Sequence, residues 1–274
     1  MSIMPSENIN ISVIMACFNN EETVEEAVQA VLKQSYRNFE LILIDDGSTD
    51  QTGIILDKIA KENSSIRFVR NSRNIGKPLS VNLGVLISSG EYFAIADGDD
   101  LWFHDKLEKQ VGILLSDIEI DVLGGQLIRF GDWGESHHPT KLPLSNFEIH
   151  RLFSRGIMAV NNPTAVIRKS AFLSVGGHKG YFRRNEDFDL FLRMYKNGMV
   201  FRNMEEILIK YRTKSRIQKW NYWLRTEIGR QEILISNSNR LIRFFPILKL
   251  PIIIRDFIRL GIIFIYLRIK ESNA

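Results

Sequence analysis

The segment Tyr92-Phe93-Ala94-Ile95-Ala96-Asp97-Gly98-Asp99-Asp100 joins an apolar run directly to three carboxylates. The run has the length of a buried strand, and three negative charges at its end are costly unless positive charge lies among them. Oxygen ligands select Mg²⁺, Mn²⁺ or Ca²⁺ over zinc, and Mg²⁺ commonly completes its shell with phosphates. A solvated acidic turn is the alternative, because Asp and Gly are the commonest turn residues. An EF-hand is excluded, since Leu101 and Trp102 fill places that need an oxygen ligand and a glycine.

Upstream of this segment, short apolar runs alternate with helical patterns. The sequence predicts strands at 11–16, 40–44, 66–70 and 92–96, separated by helices that begin near Asn20 and near residues 52 and 78. Strand and helix in alternation predict a parallel sheet with right-handed crossovers. Ligands of such sheets bind at the carboxyl ends of the strands. The polar and aromatic side chains that fall there are Phe18, Asp45, Asp46, Asp97 and Asp99.

Four motifs in this order and spacing resemble those of the family 2 glycosyltransferases: Ser12–Asn19, Ile44–Asp50, Asn74–Gly76 and Asp97–Trp102. The similarity extends from about residue 11 to residue 212. It implies a GT-A fold, which is α/β and Rossmann-like, with a mainly parallel sheet flanked by helices. It also implies transfer of a sugar from a UDP- or GDP-linked donor to an acceptor hydroxyl, with inversion, in bacterial cell-surface polysaccharide or glycolipid synthesis. The acceptor would be a glycan or lipid-linked molecule.

The resemblance implies a cofactor and a set of donor-binding residues. Asp97 and Asp99 match the Asp-x-Asp pair, so that Asp99 would ligate Mn²⁺ or Mg²⁺ between the donor phosphates, while Asp97 would hold the ribose or share the metal. Ala16 and Gly76 fall in the donor-binding motifs. Lys77 could reach a phosphate, or it could be a solvated lysine at a helix start.

The nucleotide base would be held near the first two strands. Phe18 matches the position of an aromatic residue that stacks on the base, and plain core packing is its alternative. Asp46 matches an acidic residue that hydrogen-bonds the base, and Asp45 would share this role.

Downstream, Glu186-Asp187 begins a predicted helix. Two carboxylates at a helix start complement the helix dipole, which is the structural explanation. The resemblance implies more: the second residue of this pair, Asp187, would be the general base that takes the proton from the acceptor hydroxyl. Relatives often continue into Tyr-Arg-x-His, whereas this chain has Tyr211-Arg212-Thr213-Lys214, so a third protein ligand for the metal is in doubt.

The residues between the acidic motif and Glu186 say less about function. The sequence predicts a helix at 105–116, two short strands between residues 118 and 130, and a strand over 161–168. His137 and His138 are adjacent, but a polar loop is favoured over a zinc site because neighbouring histidines rarely bind one ion. The stretch 142–156 is expected on the acceptor side.

Composition and charge separate a C-terminal helical tail, 216–274, from the preceding residues 1–215, which the resemblance implies form a GT-A glycosyltransferase domain. A hydrophobic content of 45% with 25% charged residues is typical of a globular protein and excludes disorder. Residues 211–274 contain 13 Lys and Arg against 4 Asp and Glu, whereas residues 1–210 contain 23 against 28. Because the longest uninterrupted apolar run of the tail is 8 residues, a helix lying on an anionic membrane surface is favoured over a spanning one. A dimer-forming helix or a re-entrant segment is the alternative, and no nucleic-acid-binding module is recognised.

The single cysteine, Cys17, and the absence of a secretory signal in residues 1–10 predict a cytoplasmic protein, peripheral on the inner face of the plasma membrane. Two other functions remain open at this point. One is a sugar nucleotidylyltransferase, although its glycine-rich basic loop is missing after the first strand. The other is a membrane-tethered protein that binds a nucleotide sugar without transferring it.

Overall fold

The computed structural model describes residues 9–136, 138–182, 185–213 and 233–234. Its N-terminal half alternates strands and helices as the apolar pattern predicts. The elements are β1 (Ile11–Cys17), α1 (Val24–Leu32), β2 (Phe39–Asp45), α2 (Thr52–Glu62), β3 (Ile66–Arg70), α3 (Lys77–Ile87) and β4 (Tyr92–Ala96). The four strands are parallel in the order β3-β2-β1-β4.

The central strands of this half are buried on both faces, which explains their nearly continuous apolar sequences. Ile14 of β1 is fully buried and lies between Ile42 of β2 and Ile95 of β4 in the sheet register. Because helices α1 to α3 cover the sheet, polar side chains are confined to the strand ends. All of these strands therefore deliver their following loops to one edge.

The second half extends the same sheet with mixed pairing. Its elements are β5 (Leu101–Trp102), α4 (Lys106–Ser116), β6 (Val122–Gly131), β7 (Gly134–Glu135), α5 (Asn146–Ser154), β8 (Val166–Arg168), α6 (Lys169–Ser174), α7 (Glu186–Lys196) and β9 (Phe201–Arg212). The sheet continues from β4 in the order β8-β6-β9-β5, and β7 pairs with β6. Strand β8 is antiparallel to β4, whereas β6 and β9 are parallel to each other.

Two predictions in this half are wrong in detail. The two short strands expected between residues 118 and 130 are one strand, β6, whose register with β9 shifts around Gly124 and Gln126. A Cβ at Gly124 would approach Asn203 Oδ1 of β9 within 2.4 Å, so the glycine permits close packing inside the strand rather than ending it. The strand expected over 161–168 begins only at Val166, after a 3₁₀ turn at Asn162–Thr164.

Helix α4 brings a lysine into the protein interior. Lys106 is fully buried, its Nζ donates to Gln110 Oε1 at 2.8 Å, and it lies 3.9 Å from the centre of the Trp102 ring. Burial lowers the pKa of Lys106 to about 7.

The predicted tail, 216–274, and the boundary near residue 215 lie outside the described residues, apart from positions 233 and 234. Among the residues that the structure does describe, no helix combines the length and apolarity needed to cross a bilayer.

Candidate active site

The carboxyl ends of β1, β2 and β4 surround an open cleft of about 300 Å³. The lining residues come from the loops that follow these strands and from the start of α3. They are Ala16, Cys17, Phe18, Asn20, Asp46, Asn74, Lys77, Asp97, Gly98 and Asp99. The structure thus brings together six of the predicted site residues, whereas Asp45, Gly76 and Asp187 are not among the lining residues.

Three carboxylates cluster on the β4 side of the cleft, and two of them, Asp97 and Asp99, belong to its lining. One oxygen each of Asp97, Asp99 and Asp100 lies within 4.8 Å of the others. Burial and the charge of Asp97 raise the pKa of Asp99 and of Asp100, as expected where negative charge is only partly compensated. Oδ2 of Asp100 is buried and has no hydrogen-bond partner in the described part of the chain. A crowded all-oxygen donor set of this kind fits a hard divalent cation such as Mn²⁺ or Mg²⁺.

The loop that carries these carboxylates is held from two sides. Thr23 Oγ1, at the start of α1, donates to the carbonyl oxygen of Gly98 at 2.8 Å. Arg212, at the end of β9, donates from Nε to the carbonyl oxygen of Asp99, also at 2.8 Å. Gly98 has no room for a side chain, because a Cβ would lie 2.8 Å from Cys17 Sγ. The acidic loop is therefore held in place by contacts with α1, β1 and β9.

Arg212 is a residue whose contribution the sequence did not reveal. Its guanidinium also donates to Glu26 Oε2 at 2.8 Å and lies 4.4 Å from the centre of the Phe130 ring. The Tyr-Arg pair at positions 211 and 212 was the available signal. Lys214, which stands where the resembling family often has a histidine, lies outside the described residues.

Lys77, the first residue of α3, forms an ion pair with Asp97 through Nζ and Oδ1. Burial opposes the charge of Lys77, but Asp97, which also accepts its hydrogen bond, and Glu186 together raise its pKa above the ordinary value. Lys77 is thus neither a freely solvated lysine nor a residue remote from the acidic loop. It places a positive charge in the cleft beside the predicted metal ligands.

The two carboxylates that end β2 point to different partners. Asp45 is fully buried, pairs with Arg70 at 3.0 Å and accepts from the backbone N–H of Ser48 at 2.9 Å. Asp46 lines the cleft but is only 2% exposed, because it holds the loop before α3. Its oxygens accept from Asn71 Nδ2 at 2.8 Å, from the Ile75 N–H at 3.0 Å and from the Gly76 N–H at 2.8 Å.

Phe18 follows β1 and is 43% exposed at the opening of the cleft. Plain core packing, the alternative for this residue, is therefore wrong. Cys17, its neighbour, is completely buried, as expected for a small core residue, and burial together with nearby carboxylates raises the pKa of its thiol. Gly76 has a φ of +94°, a backbone conformation that favours glycine at the turn into α3.

Asp187 lies in the first turn of α7 and is partly buried. Its Oδ1 accepts from the N–H of Phe188 at 2.8 Å. Burial, together with the charge of Glu186, raises the pKa of Asp187 to about 6, although Lys77 acts in the opposite direction. The charges of Lys77, Asp187 and the acidic loop therefore interact within one electrostatic neighbourhood.

The structure describes only one of the two adjacent histidines, His137 and His138. His138 is exposed in a loop, and His137 lies outside the described residues. Among the residues that the structure describes, the carboxylates of the acidic loop are the one group of three or more His, Cys, Asp or Glu side chains that lie close enough to share an ion. The stretch 142–156 contains α5, which the sequence left unassigned.

Solved structures of other proteins share this fold. The chain superimposes on S. aureus TarS 1–349 in complex with UDP with a TM-score of 0.60 and 19% identity, covering 86% of this chain and 73% of that one. Mannosyltransferase PcManGT from Pyrobaculum calidifontis, in complex with GDP-Man and Mn²⁺, gives a TM-score of 0.63 and 18% identity, with 84% and 63% covered. The chain spans 40% of the longer TarS structure. The fold is that of the GT-A glycosyltransferases.

Sequence comparison places the chain within this class. Residues 12–176 match the family described as glycosyl transferase family 2. EpsE of Bacillus subtilis, provisionally assigned as a glycosyltransferase, is 36% identical over 212 residues, which are 75% of this chain and 73% of EpsE. The amylovoran biosynthesis glycosyltransferase AmsE of Erwinia amylovora is 27% identical over 220 residues, 77% of this chain and 80% of AmsE. The chain belongs to glycosyl transferase family 2 and is a transferase enzyme.

Proposed function

We propose that this enzyme is a metal-dependent, inverting glycosyltransferase that uses a UDP- or GDP-linked sugar. The observation that carries the proposal is the convergence on one cleft of an aromatic side chain, a lysine and an all-oxygen acidic loop. These are groups suited to a base, to a diphosphate and to a divalent cation, respectively. TarS has been solved with UDP and with UDP-GlcNAc, and PcManGT with GDP-Man and Mn²⁺, which supports a nucleotide-sugar donor here.

Phe18 would stack on the base at the opening of the cleft, where its exposed ring leaves a face free for contact. A carboxylate has about four acceptor positions, and three at Asp46 are used by the loop before α3. The remaining position would accept a base N–H. Asp45, which is turned toward Arg70, would act by supporting this strand end, and Ala16 and Gly76 would shape the backbone around the nucleotide.

Asp99 and Asp97 would hold Mn²⁺ or Mg²⁺, with Asp100 behind them. The bound cation would stabilise the negative charge that develops on the diphosphate leaving group. Lys77 would contribute a second positive charge to the same phosphates. The loop would need little reorganisation, because Thr23 and Arg212 already fix its carbonyl groups.

Asp187 would be the general base. A pKa of about 6 leaves its carboxylate ionised near neutral pH, yet more basic than an exposed aspartate. It would take the proton of the acceptor hydroxyl as that oxygen attacks the anomeric carbon from the face opposite the diphosphate. One displacement breaks the bond to phosphate oxygen and inverts the configuration, so no covalent enzyme intermediate is needed.

The acceptor is proposed to be a growing glycan or a lipid-linked sugar in cell-surface polysaccharide or glycolipid synthesis, in line with the role that the name of AmsE gives. For the tail, 216–274, we retain the proposal of a peripheral contact with the inner face of the plasma membrane. It rests on the basic and apolar composition of that segment.

The decisive experiment offers the purified enzyme a panel of UDP-, GDP- and TDP-sugars with Mn²⁺ and follows nucleotide release and transfer. Release that requires Mn²⁺, is lost with EDTA and is lost in Asp99→Asn supports the proposal. NMR of the product must show the anomeric configuration opposite to that of the donor. Donor binding without turnover would instead indicate a non-catalytic nucleotide-sugar-binding protein, and formation of a sugar nucleotide from a sugar phosphate would indicate a nucleotidylyltransferase.

A further inference from the structure

We infer that Lys77 is an exchangeable counter-ion: its ammonium neutralises Asp97 in the free enzyme and transfers to the donor diphosphate when the divalent cation and the donor bind together. This inference rests on the proposed function and assigns a binding order to its site. The ammonium of Lys77 would change its partner from Asp97 to the diphosphate as the donor binds.

The position of Lys77 depends on Asp46, which follows strand β2 and holds the loop before α3. Asp46, at the end of β2, fixes the backbone N–H groups of Ile75 and Gly76 at 3.0 and 2.8 Å. Gly76 turns the chain into α3 with a φ of +94°, and Lys77 is the next residue. The buried carboxylate of Asp46 therefore fixes the backbone from which the Lys77 side chain enters the cleft.

The ammonium of Lys77 bonds to Oδ1 of Asp97, the residue predicted to hold the ribose or to share the divalent cation. The side chain of Lys77 is 36% exposed, whereas that of Asp97 is 17% exposed, so the lysine can move into the cleft more easily than the aspartate. Asp97 cannot offer this oxygen fully to a cation while the ammonium occupies it. A cation that arrives alone meets a positive charge at one of its ligands.

A donor diphosphate removes this obstacle. Asp97 and Lys77 line the same cleft, so the oxygens of a diphosphate bound there would lie within reach of the ammonium. Phosphate offers the ammonium acceptors that carry more negative charge than one carboxylate, and Asp97 is then released. Cation and donor consequently strengthen each other's binding, and the coupling passes through Lys77.

The charge on Lys77 also acts on carboxylates of α7, which are not among the residues that line the cleft. Glu186 raises the pKa of Lys77, and Lys77 in turn acts on Asp187 and on Asp99. A single ammonium thus interacts with both acidic groups that would flank the sugar. Movement of this charge from Asp97 to the diphosphate keeps it within the cleft, where the leaving group develops charge.

The test measures Mn²⁺ binding to the full-length, donor-free enzyme by electron paramagnetic resonance of the free ion. Removing one positive charge next to a divalent site should tighten binding about tenfold in Lys77→Met. Lys77→Arg keeps the charge and should bind Mn²⁺ like the unmodified enzyme. Lys109→Met is the matched control. It removes a lysine that does not line the cleft and whose Nζ pairs with Asp105 at 2.7 Å. Thermal unfolding of each variant verifies that it is folded.

The same titration in the presence of UDP or GDP measures the coupling. The gain in Mn²⁺ affinity on adding the nucleotide should be smaller in Lys77→Met than in the unmodified enzyme. Unchanged or weaker Mn²⁺ binding by Lys77→Met overturns the exchange, provided that Asp99→Asn abolishes binding. If Asp99→Asn leaves Mn²⁺ binding intact, the metal assignment of the proposed function fails first, and the exchange fails with it.

Discussion

The backbone N–H of Arg212 donates to Asp100 Oδ1 at 2.8 Å, although 112 positions separate the two residues in the chain. The same arginine bonds the Asp99 carbonyl through Nε. Strand β9 therefore fastens the acidic loop that follows β4 at two consecutive residues. Pairing of β5 with β9, with Leu101 opposite Lys210, continues this attachment immediately after the loop.

The first prediction tests this attachment. Arg212→Lys keeps the positive charge but cannot bond both the Asp99 carbonyl and Glu26, so one hydrogen bond worth about 1 kcal/mol is lost. Amide hydrogen exchange in a peptide covering residues 97–102 should become several-fold faster, and transfer at saturating Mn²⁺ should fall. Arg202→Lys on the same strand is the control, because its guanidinium pairs with Asp117 at 3.6 Å. Unchanged exchange in Arg212→Lys would contradict the assigned role.

The second prediction concerns the pH dependence of transfer. Because the proposed base must be ionised and has a pKa of about 6, kcat/KM should fall about tenfold per unit below pH 6 and level off above it. Asp187→Asn should abolish turnover while leaving UDP or GDP binding almost unchanged. Glu186→Gln is the matched comparison: it removes a charge that raises this pKa, so the midpoint should shift to lower pH. A profile that stays flat between pH 5 and 8 would refute Asp187 as the base.

The third prediction concerns base stacking. Phe18→Ala should weaken binding of the donor nucleotide by about tenfold, since a base–aromatic stack contributes about 1–3 kcal/mol. Its free energy of unfolding should change little, because the ring is already 43% exposed. Isothermal titration with UDP and GDP measures the first effect and chemical denaturation the second. Phe18→Tyr should restore binding, and Phe147→Ala, an exposed aromatic that does not line the cleft, should have no effect on it.

The fourth prediction concerns stability. The pKa of Lys106 is about 7 in the folded protein and 10.5 without burial, so between these values the unfolded chain binds more protons. The stability of the unmodified enzyme should therefore rise from pH 7 to pH 10 relative to Lys106→Met, by a few kcal/mol at roughly 1.4 kcal/mol per pKa unit. Urea denaturation at several pH values measures the difference. A difference that does not change with pH would mean that the folded lysine keeps the ordinary pKa of a solvated lysine.

The first half of the fold was predictable from the sequence, because parallel strands that are covered on both faces have nearly continuous apolar sequences. Strands β3 and β4 begin and end at the predicted residues, and the motif order located the cleft at the correct edge. The second half was harder to predict. Gly124 and Gly125 look like a break in a strand, yet side chains of β9 occupy the space where their Cβ atoms would lie.

Helix α5 was missed although a local signal was present. Ser145 caps it by accepting from the N–H of Glu148 at 3.3 Å, and its hydroxyl donates to the Glu148 carboxylate at 3.0 Å. The Ser-x-x-Glu spacing is that of a capping box, but the few apolar residues of 142–156 concealed this signal. The different orientations of Asp45 and Asp46 could not be predicted either, because two adjacent aspartates at a strand end differ only in what the neighbouring strand offers them.

The three hydrogen bonds that Asp46 accepts have a practical consequence for redesign. A residue that anchors the loop cannot be exchanged to alter which nucleotide is accepted, since Lys77 would be displaced at the same time. Attempts to engineer a new donor preference should keep this aspartate and randomise Phe18 and Asn74, which border the cleft with exposed side chains. Libraries built on these two positions would preserve the catalytic geometry while sampling new bases.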